Sequence, residues 1–104
     1  MENVDTTNLN HLNQLGMVIV EFYGNGCMNC KIMAPILSQL EVTMPYIRFY
    51  RVNADTYPKL VGRYNVTSLP SLLLFRNGKH LTTIIGVKSL TFLRNHIKNI
   101  LFPN

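Results

Sequence analysis

The chain of 104 residues contains two cysteines, Cys27 and Cys30, and only two residues separate them. If this spacing falls at the start of a helix, the two side chains lie one turn apart on the same face, and their sulfurs can reach bonding distance. The unpaired N–H groups and the dipole at a helix N-terminus stabilise a thiolate, which is the nucleophile in thiol–disulfide exchange. The pair therefore predicts redox chemistry in which Cys27 attacks a disulfide and a more buried Cys30 resolves the mixed disulfide.

Two other uses of a cysteine pair fit this sequence less well. A closed structural zinc site needs four ligands, and the chain has no second cysteine pair. Its three histidines, His11, His80 and His96, show no paired spacing. A structural disulfide across so short a loop removes little chain entropy from the unfolded state. We therefore expect no metal and no cofactor.

A short apolar segment immediately before the cysteines is the element that must position them. Val18–Tyr23 is rich in β-branched and aromatic residues, which predicts a strand buried on both faces, with Glu21 as its one charged residue. A helix from Met28 to about Thr43 follows, and Pro35 inside it removes one backbone N–H and is expected to kink it. The predicted inner stripe of this helix consists of Ile32, Ile36 and Leu40, widened by Met33 and Leu37.

The remainder of the chain alternates between strand and helix patterns. Asn77-Gly78 is a strong hairpin signal, and Pro58 opens a short helix for which Asp55 or Thr56 can supply the cap. The order of elements predicts a single α/β domain over residues 1–104, with helices on both faces of a central mixed sheet. The further predicted elements are a marginal helix over 6–15, strands over 46–53, 71–75 and 81–85, and a helix capped by Ser89 with the inner stripe Leu90, Leu93, Ile97, Ile100 and Leu101.

Composition and charge narrow the class of partner. The formal net charge is +5, but the basic residues are spread along the chain without a cluster, so we expect no nucleic-acid site. A preference for acidic partner proteins stays open as an alternative. No segment predicts a membrane span, and the N-terminal Met1–Asp5 is too polar and acidic for a signal peptide. We therefore expect a cytoplasmic protein that acts as a monomer.

The whole pattern resembles the thioredoxin family over nearly the full chain. The matching positions are Cys27-Met28-Asn29-Cys30 at the family's redox dithiol, Lys31 after it, Pro35 at the helix-kinking proline, Pro70 at the cis-proline that faces the dithiol, Asn77-Gly78 at the hairpin turn and Gly86 in the last substrate-contacting loop. The resemblance implies a thioredoxin-like three-layer α/β/α fold, reversible reduction of disulfide-containing protein substrates and a thioredoxin-reductase-like electron donor. It also implies a cis Leu69–Pro70 bond and a peptide groove formed by Gly26, Ala54, Ser68, Leu69, Pro70, Ile85, Gly86 and Val87.

Glu21 falls where typical thioredoxins bury an aspartate, and Arg51 falls where they often carry a lysine beside it. Because the predicted strand excludes water, burial should raise the pKa of Glu21 and bring it nearer to neutrality. There it would accept or relay the proton of Cys30 during resolution. The competing interpretation is a salt bridge to Arg51, which would hold the pKa of Glu21 down.

The active-site sequence departs from the typical Trp-Cys-Gly-Pro-Cys at three positions, which are Gly26, Met28 and Asn29 here. We expect Met28 and Asn29, with Lys31 and Arg51 nearby, to tune the potential of the dithiol. Two functions are consistent with the sequence. One is a thiol–disulfide oxidoreductase that reduces protein disulfides, and the other is a binding module on the same fold with slow or vestigial redox activity.

Overall fold

The computed structural model describes residues 1–4, 9, 14 and 16–103 of the chain. The strands among these residues are β1 (Glu2–Asn3), β2 (Met17–Tyr23), β3 (Arg48–Asn53), β4 (Ser71–Arg76) and β5 (Lys79–Ile85). The helices are α1 (Met28–Thr43), α2 (Pro58–Arg63) and α3 (Leu90–Leu101).

The strands form one mixed sheet in the order β1-β3-β2-β4-β5. Strand β2 lies at the centre, parallel to β3 and antiparallel to β4. Its residues from Val18 to Phe22 are at most 1% exposed, which confirms the prediction of a strand buried on both faces. In this register Glu21 pairs with Arg51 on one side and with Leu72 on the other.

The helices cover both faces of the sheet. On one face, α1 and α3 pack over Ile19 of β2 and Phe49 of β3. On the other face, Leu60 of α2 packs in a second core with Val20. Side chains alternate along a strand, so Glu21 projects from the same face as Ile19, the face that α1 covers. The predicted three-layer α/β architecture is confirmed.

Helix α1 begins and ends where the sequence predicts, and it continues through Pro35. The prediction that Ile32 belongs to its inner stripe is wrong, because that side chain is 49% exposed. The next residue, Met33, faces the core instead. Because successive residues are rotated by about 100° around a helix axis, Ile32 points away from the core. The buried face consists of Cys30, Met33, Leu37 and Leu40.

The cap predicted for α2 also needs correction. The N-cap residue is Tyr57, and no side chain provides a capping hydrogen bond. Neither Asp55 nor Thr56 holds the cap position, because the helix begins only at Pro58. The Asp55 carboxylate instead accepts a hydrogen bond from the backbone of Asn25.

Other elements differ from the prediction only at their ends. Strands β3 and β5 begin at Arg48 and Lys79 instead of 46 and 81, and the two-residue β1 was not predicted. The predicted helix over 6–15 lies outside the described residues, apart from Leu9 and Gln14. The hairpin turn is confirmed, with φ values of 50° at Asn77 and 83° at Gly78.

Helix α3 follows the sequence prediction closely. Ser89 is its N-cap, and the Ser89 Oγ accepts a hydrogen bond from the Phe92 N–H at 3.0 Å. This bond satisfies one of the N–H groups that a helix start leaves unpaired. The buried face consists of Leu93, Ile97 and Leu101, and the half-buried Leu90 and Ile100 lie beside it.

Candidate active site

Cys27 is the N-cap residue of α1, and Cys30 lies in the first turn. The backbone N–H of Cys30 donates a hydrogen bond to Cys27 Sγ at 3.1 Å. The two sulfurs are joined in a disulfide, with the Cα atoms 5.2 Å apart. Cys27 is half-buried, whereas Cys30 is only 5% exposed. The first-turn N–H groups would therefore stabilise a thiolate at Cys27 in the reduced form, while the protein shields Cys30.

The three positions that depart from the typical motif all face solvent. The Met28 side chain is 67% exposed, and Gly26 and Asn29 are exposed as well. A Cβ built on Gly26 would meet no atom within 4 Å, so packing does not restrict this position to glycine. These residues therefore shape the surface around the dithiol without contributing to the core.

Gly24, shortly before the dithiol, lies where three loops meet. A Cβ built on it would lie 2.9 Å from Leu69 Cδ1, 3.3 Å from Asp55 Oδ2 and 3.8 Å from Cys27 Cβ. The first of these distances is shorter than side-chain carbons normally reach, so only glycine leaves room for Leu69 as it stands. The loop that ends at Pro70 therefore lies next to Cys27, as the predicted groove requires.

A polar network that the sequence analysis missed joins the end of β3 to the turn before the dithiol. The backbone N–H of Asn25 donates to Asp55 Oδ2 at 2.7 Å, and the Asn53 amide donates to Asn25 Oδ1 at 2.8 Å. Ala54, a predicted groove residue, donates its N–H to Tyr23 O at 2.7 Å. A signal was present in the sequence, because Asn at a strand end typically accepts a hydrogen bond from the backbone two residues on, as Asn53 does here from Asp55.

One hydrogen bond ties the loop before β4 to the loop after β5. The Gly86 N–H donates to Pro70 O at 2.9 Å, and the φ of Gly86 is +87°, a conformation that favours glycine. The Leu69–Pro70 bond is cis, as predicted. Ile85 and Val87, on either side of Gly86, are 46% and 37% exposed. The two loops therefore form one rim with apolar side chains open to solvent.

The sheet topology explains why the predicted groove residues, which are distant in sequence, belong to loops at one edge of the sheet. Strands β2, β3 and β5 run in one direction and β4 runs in the other. The ends of β2, β3 and β5 and the start of β4 therefore lie at the same edge of the sheet. Ser68, the first predicted groove residue before β4, is exposed, and its carbonyl accepts a hydrogen bond from Ser71 Oγ at 2.6 Å.

Glu21 is buried beneath this edge, with 1% of its surface exposed. Burial raises the pKa of its carboxyl above the ordinary value, and the Arg51 guanidinium lowers it only in part. Arg51 Nε lies 3.6 Å from Glu21 Oε1, and neither Arg51 Nε nor Glu21 Oε2 has a hydrogen-bond partner among the described residues. The ion pair of the competing interpretation is therefore present, but desolvation outweighs it, and the prediction of a raised pKa is confirmed.

Arg51 connects Glu21 to the space behind the dithiol. Its Cζ lies 3.7 Å from the centre of the Tyr23 ring, so a cation–π contact fixes the guanidinium. The same side chain lines a cavity of about 250 Å³ together with Cys30 and Lys31. Arg51 thus pairs with the buried carboxyl of Glu21 and also lines the cavity that the shielded Cys30 borders.

Neither a metal centre nor a membrane-spanning helix is found in the part of the chain that the structure describes. No group of three or more His, Cys, Asp or Glu side chains there could hold a metal ion. None of the helices there is both long and apolar enough to cross a membrane.

Comparison with known proteins identifies the family. The family model described as Thioredoxin matches residues 2–99. The chain belongs to the thioredoxin family. The thioredoxin of Chlamydia pneumoniae is 34% identical over 82 residues, which cover 79% of this chain and 80% of that protein. Thioredoxin-1 of Saccharomyces cerevisiae is 33% identical over 70 residues, which cover 67% of this chain and 68% of that protein.

Solved structures agree with this assignment. Oxidised mitochondrial thioredoxin 3 from Saccharomyces cerevisiae has a TM-score of 0.87 and 28% identity, over 95% of this chain and 94% of that one. Because the Cys27–Cys30 pair is intact, this thioredoxin-family protein is a thiol–disulfide oxidoreductase with disulfide reductase activity.

Proposed function

We propose that this thioredoxin-family protein reduces disulfides in protein substrates, with Cys27 as the attacking thiol and Cys30 as the resolving thiol. The unequal placement of the two cysteines carries this proposal. Cys27 is the more accessible of the pair and receives the N–H of Cys30 on its sulfur, whereas Cys30 is buried. A helix N-terminus favours the thiolate, and only an accessible thiolate can reach a substrate disulfide.

The reaction balances over two exchange steps. The Cys27 thiolate attacks one sulfur of the substrate disulfide, forms a mixed disulfide and releases the other sulfur as a thiolate. Cys30 then loses its proton and attacks Cys27 Sγ, which releases the second substrate sulfur and leaves the Cys27–Cys30 disulfide. The substrate has gained the two electrons that the dithiol has lost. Its two released thiolates take up two protons, one equivalent to the proton that Cys30 gives up and one from solvent, where Cys27 had lost its proton before the attack.

We assign Glu21 as the group that accepts or relays the Cys30 proton in the second step. Its raised pKa supports this role, because a proton acceptor works best when its pKa lies near the working pH. Arg51 borders the cavity beside Cys30 and also contacts Glu21, which supports a path between the two groups.

The remaining components are part of the same proposal. A thioredoxin-reductase-like enzyme would restore the dithiol, and Met28, Asn29 and Lys31 would tune its potential from the exposed side. The groove would bind the substrate chain along Gly26, Ala54, Ser68, Leu69, Pro70, Ile85, Gly86 and Val87. We place the protein in the cytoplasm as a monomer, which the sequence alone suggests.

Insulin reduction tests the function. With dithiothreitol as the electron source, the protein should accelerate the appearance of turbidity as insulin chains separate. The control is Cys27→Ser at the same concentration, which should leave the rate of dithiothreitol alone. If the wild-type dithiol is oxidised and reduced normally but gives no acceleration, the protein is a binding module with vestigial redox activity, and the proposal is wrong.

A further inference from the structure

Charge is distributed unevenly along this chain. The five acidic residues all lie at or before residue 55, at Glu2, Asp5, Glu21, Glu41 and Asp55. Residues 56–104 contain no acidic residue but seven of the ten basic ones. Strands β4 and β5 and helix α3 therefore belong to a segment whose charged side chains are all positive, and this segment supplies six of the eight predicted groove residues.

An aromatic side chain on α3 is exposed within this basic segment. Phe92 is 44% exposed, although a ring of this size is usually buried. His96 stacks on it with ring centres 5.1 Å apart, and Lys88 Nζ lies 5.8 Å from its centre. The three residues are spaced four apart, which places His96 one helical turn after Phe92 on the same face. We call this group the Phe92 ridge.

The ridge is continuous with the rim of the active site. Lys88 directly follows Val87, whose neighbour Gly86 is hydrogen-bonded to Pro70. The capping bond from Phe92 N–H to Ser89 Oγ fixes the start of α3, and Ser89 directly follows Lys88. A chain bound along the rim would therefore meet the ridge as it leaves the dithiol.

We propose that the Phe92 ridge is a specificity surface for protein disulfides flanked by acidic residues. This inference rests on the proposed function, since it names the substrate class of the same site. A carboxylate beside the disulfide would pair with Lys88, and an apolar neighbour would pack on Phe92. Opposite charges at an exposed rim raise the rate of productive encounter more than the final affinity.

A protein substrate fits the ridge better than a nucleic acid does. Strong phosphate binding needs many cations in a row, because each contact releases counterions. The ridge offers one lysine beside an exposed apolar ring, with further apolar surface at Ile85 and Val87. That combination matches a peptide carrying both carboxylates and apolar side chains.

A peptide pair tests the proposal with the full chain. The two disulfide peptides differ only in whether glutamate or glutamine occupies the positions beside the disulfide. The readout is the ratio of their kcat/KM values, with dithiothreitol in excess. We expect the glutamate peptide to be reduced about two- to fivefold faster, as one exposed ion pair allows, and the ratio to approach unity at high salt.

Variants test whether Lys88 is the residue that produces the preference for the glutamate peptide. Lys88→Gln should bring the ratio close to one, and Lys88→Glu should bring it below one. Lys88→Glu should also reduce a third peptide, with lysine at the same positions, faster than the glutamine peptide, a gain that misfolding cannot produce. Lys79→Gln removes the same charge at the opposite end of β5, about 20 Å away by strand rise, and should keep the wild-type ratio.

Three results would overturn the proposal. The first is a wild-type ratio of one, and the second is that Lys79→Gln lowers the ratio as much as Lys88→Gln does. The third is that a DNA oligonucleotide, with phosphates at the same concentration as the glutamates of the peptide, abolishes the preference by competing for the ridge. Failure to reduce either peptide would instead contradict the proposed function, so the two failures are distinguishable.

Discussion

The two sides of the dithiol are built in opposite ways. On the Cys27 side, Met28 is 67% exposed, and the loop after β5 presents Ile85 and Val87 to solvent. On the Cys30 side, Glu21 is almost fully buried, and its pKa is raised. One turn of helix leads from the exposed surface around Cys27 to the buried Cys30, and this helix covers the face of the sheet that holds the Glu21 carboxyl.

Because of this difference, residues on the two sides of the dithiol should control different properties of the protein. Changes on the buried side alter desolvation and charge pairing, so they should change both stability and the pH dependence of the reaction. Changes on the exposed side alter which surfaces meet the dithiol and should leave the free energy of unfolding nearly unchanged, as most surface substitutions do. The following predictions test this separation, from the largest expected effect to the smallest.

Serine substitution at the two cysteines should give two different losses. Cys27→Ser removes the attacking thiolate, so insulin reduction should fall to the dithiothreitol background. Cys30→Ser keeps the attack but removes the resolving thiol, so mixed disulfides with substrate should accumulate. Non-reducing electrophoresis and intact mass spectrometry of each variant with insulin measure this. Accumulation of mixed disulfides in Cys27→Ser instead would reverse the assigned roles.

Glu21→Gln should stabilise the fold at neutral pH while slowing disulfide reduction. Because the folded-state pKa is raised, the unfolded chain ionises first as pH rises, and the folded state loses stability until the folded pKa is passed. Each unit of difference corresponds to about 1.4 kcal/mol at neutral pH. The gain should disappear below the unfolded pKa of about 4.3, where both states are protonated.

Urea midpoints at neutral and acidic pH measure this effect, with insulin reduction in parallel. The matched control is Glu2→Gln, which removes an exposed carboxylate and should change neither quantity. A lower midpoint at neutral pH with unchanged activity would mean that pairing with Arg51 outweighs desolvation, and the proton-acceptor role of Glu21 would be lost with it.

Arg51 should lower the pKa of Glu21, whereas burial raises it. Its guanidinium favours the ionised form of Glu21, so Arg51→Met should raise the Glu21 pKa further and make the fold less stable at neutral pH. Arg51→Lys keeps the positive charge and should recover part of the loss. The pH dependence of the urea midpoint separates the variants. Equal midpoints for Arg51→Met and Arg51→Lys at every pH would show that the charge of residue 51 does not contribute to stability.

Replacing Met28-Asn29 with Gly-Pro should give the smallest structural change and a measurable redox effect. Both side chains are exposed, and proline is tolerated in the first turn of a helix, so the urea midpoint should stay close to that of the wild type. The potential against glutathione should shift by more than about 10 mV, a fraction of a kcal/mol for a two-electron couple. A smaller shift would identify these residues as tolerated surface substitutions.

The sequence predicts well what depends on neighbouring residues. Strand β2, the turn and helix α1 follow one another directly, so a buried apolar run and the cysteine spacing were enough to place the dithiol. Ser89 and Asn77-Gly78 likewise carry their own local signals for a cap and a turn. The burial of Glu21 followed from the strand around it.

Contacts between distant segments could not be obtained in this way. The cation–π contact of Tyr23 with Arg51 depends on the parallel register of β2 and β3. The packing of Leu69 against Gly24 depends on how separate loops meet at one edge of the sheet. The sequence wrongly predicts a core position for Ile32, because periodicity gives a stripe but not its exact rotation, which tertiary packing decides.

Alkylation of the reduced protein tests the unequal placement of the two cysteines most directly. A brief reaction with a limiting amount of iodoacetamide near neutral pH labels the more reactive thiolate. Cyanogen bromide then cleaves after Met28 and separates Cys27, in fragment 18–28, from Cys30, in fragment 29–33. We predict that the label lies almost entirely in fragment 18–28, and preferential labelling of fragment 29–33 would contradict the account.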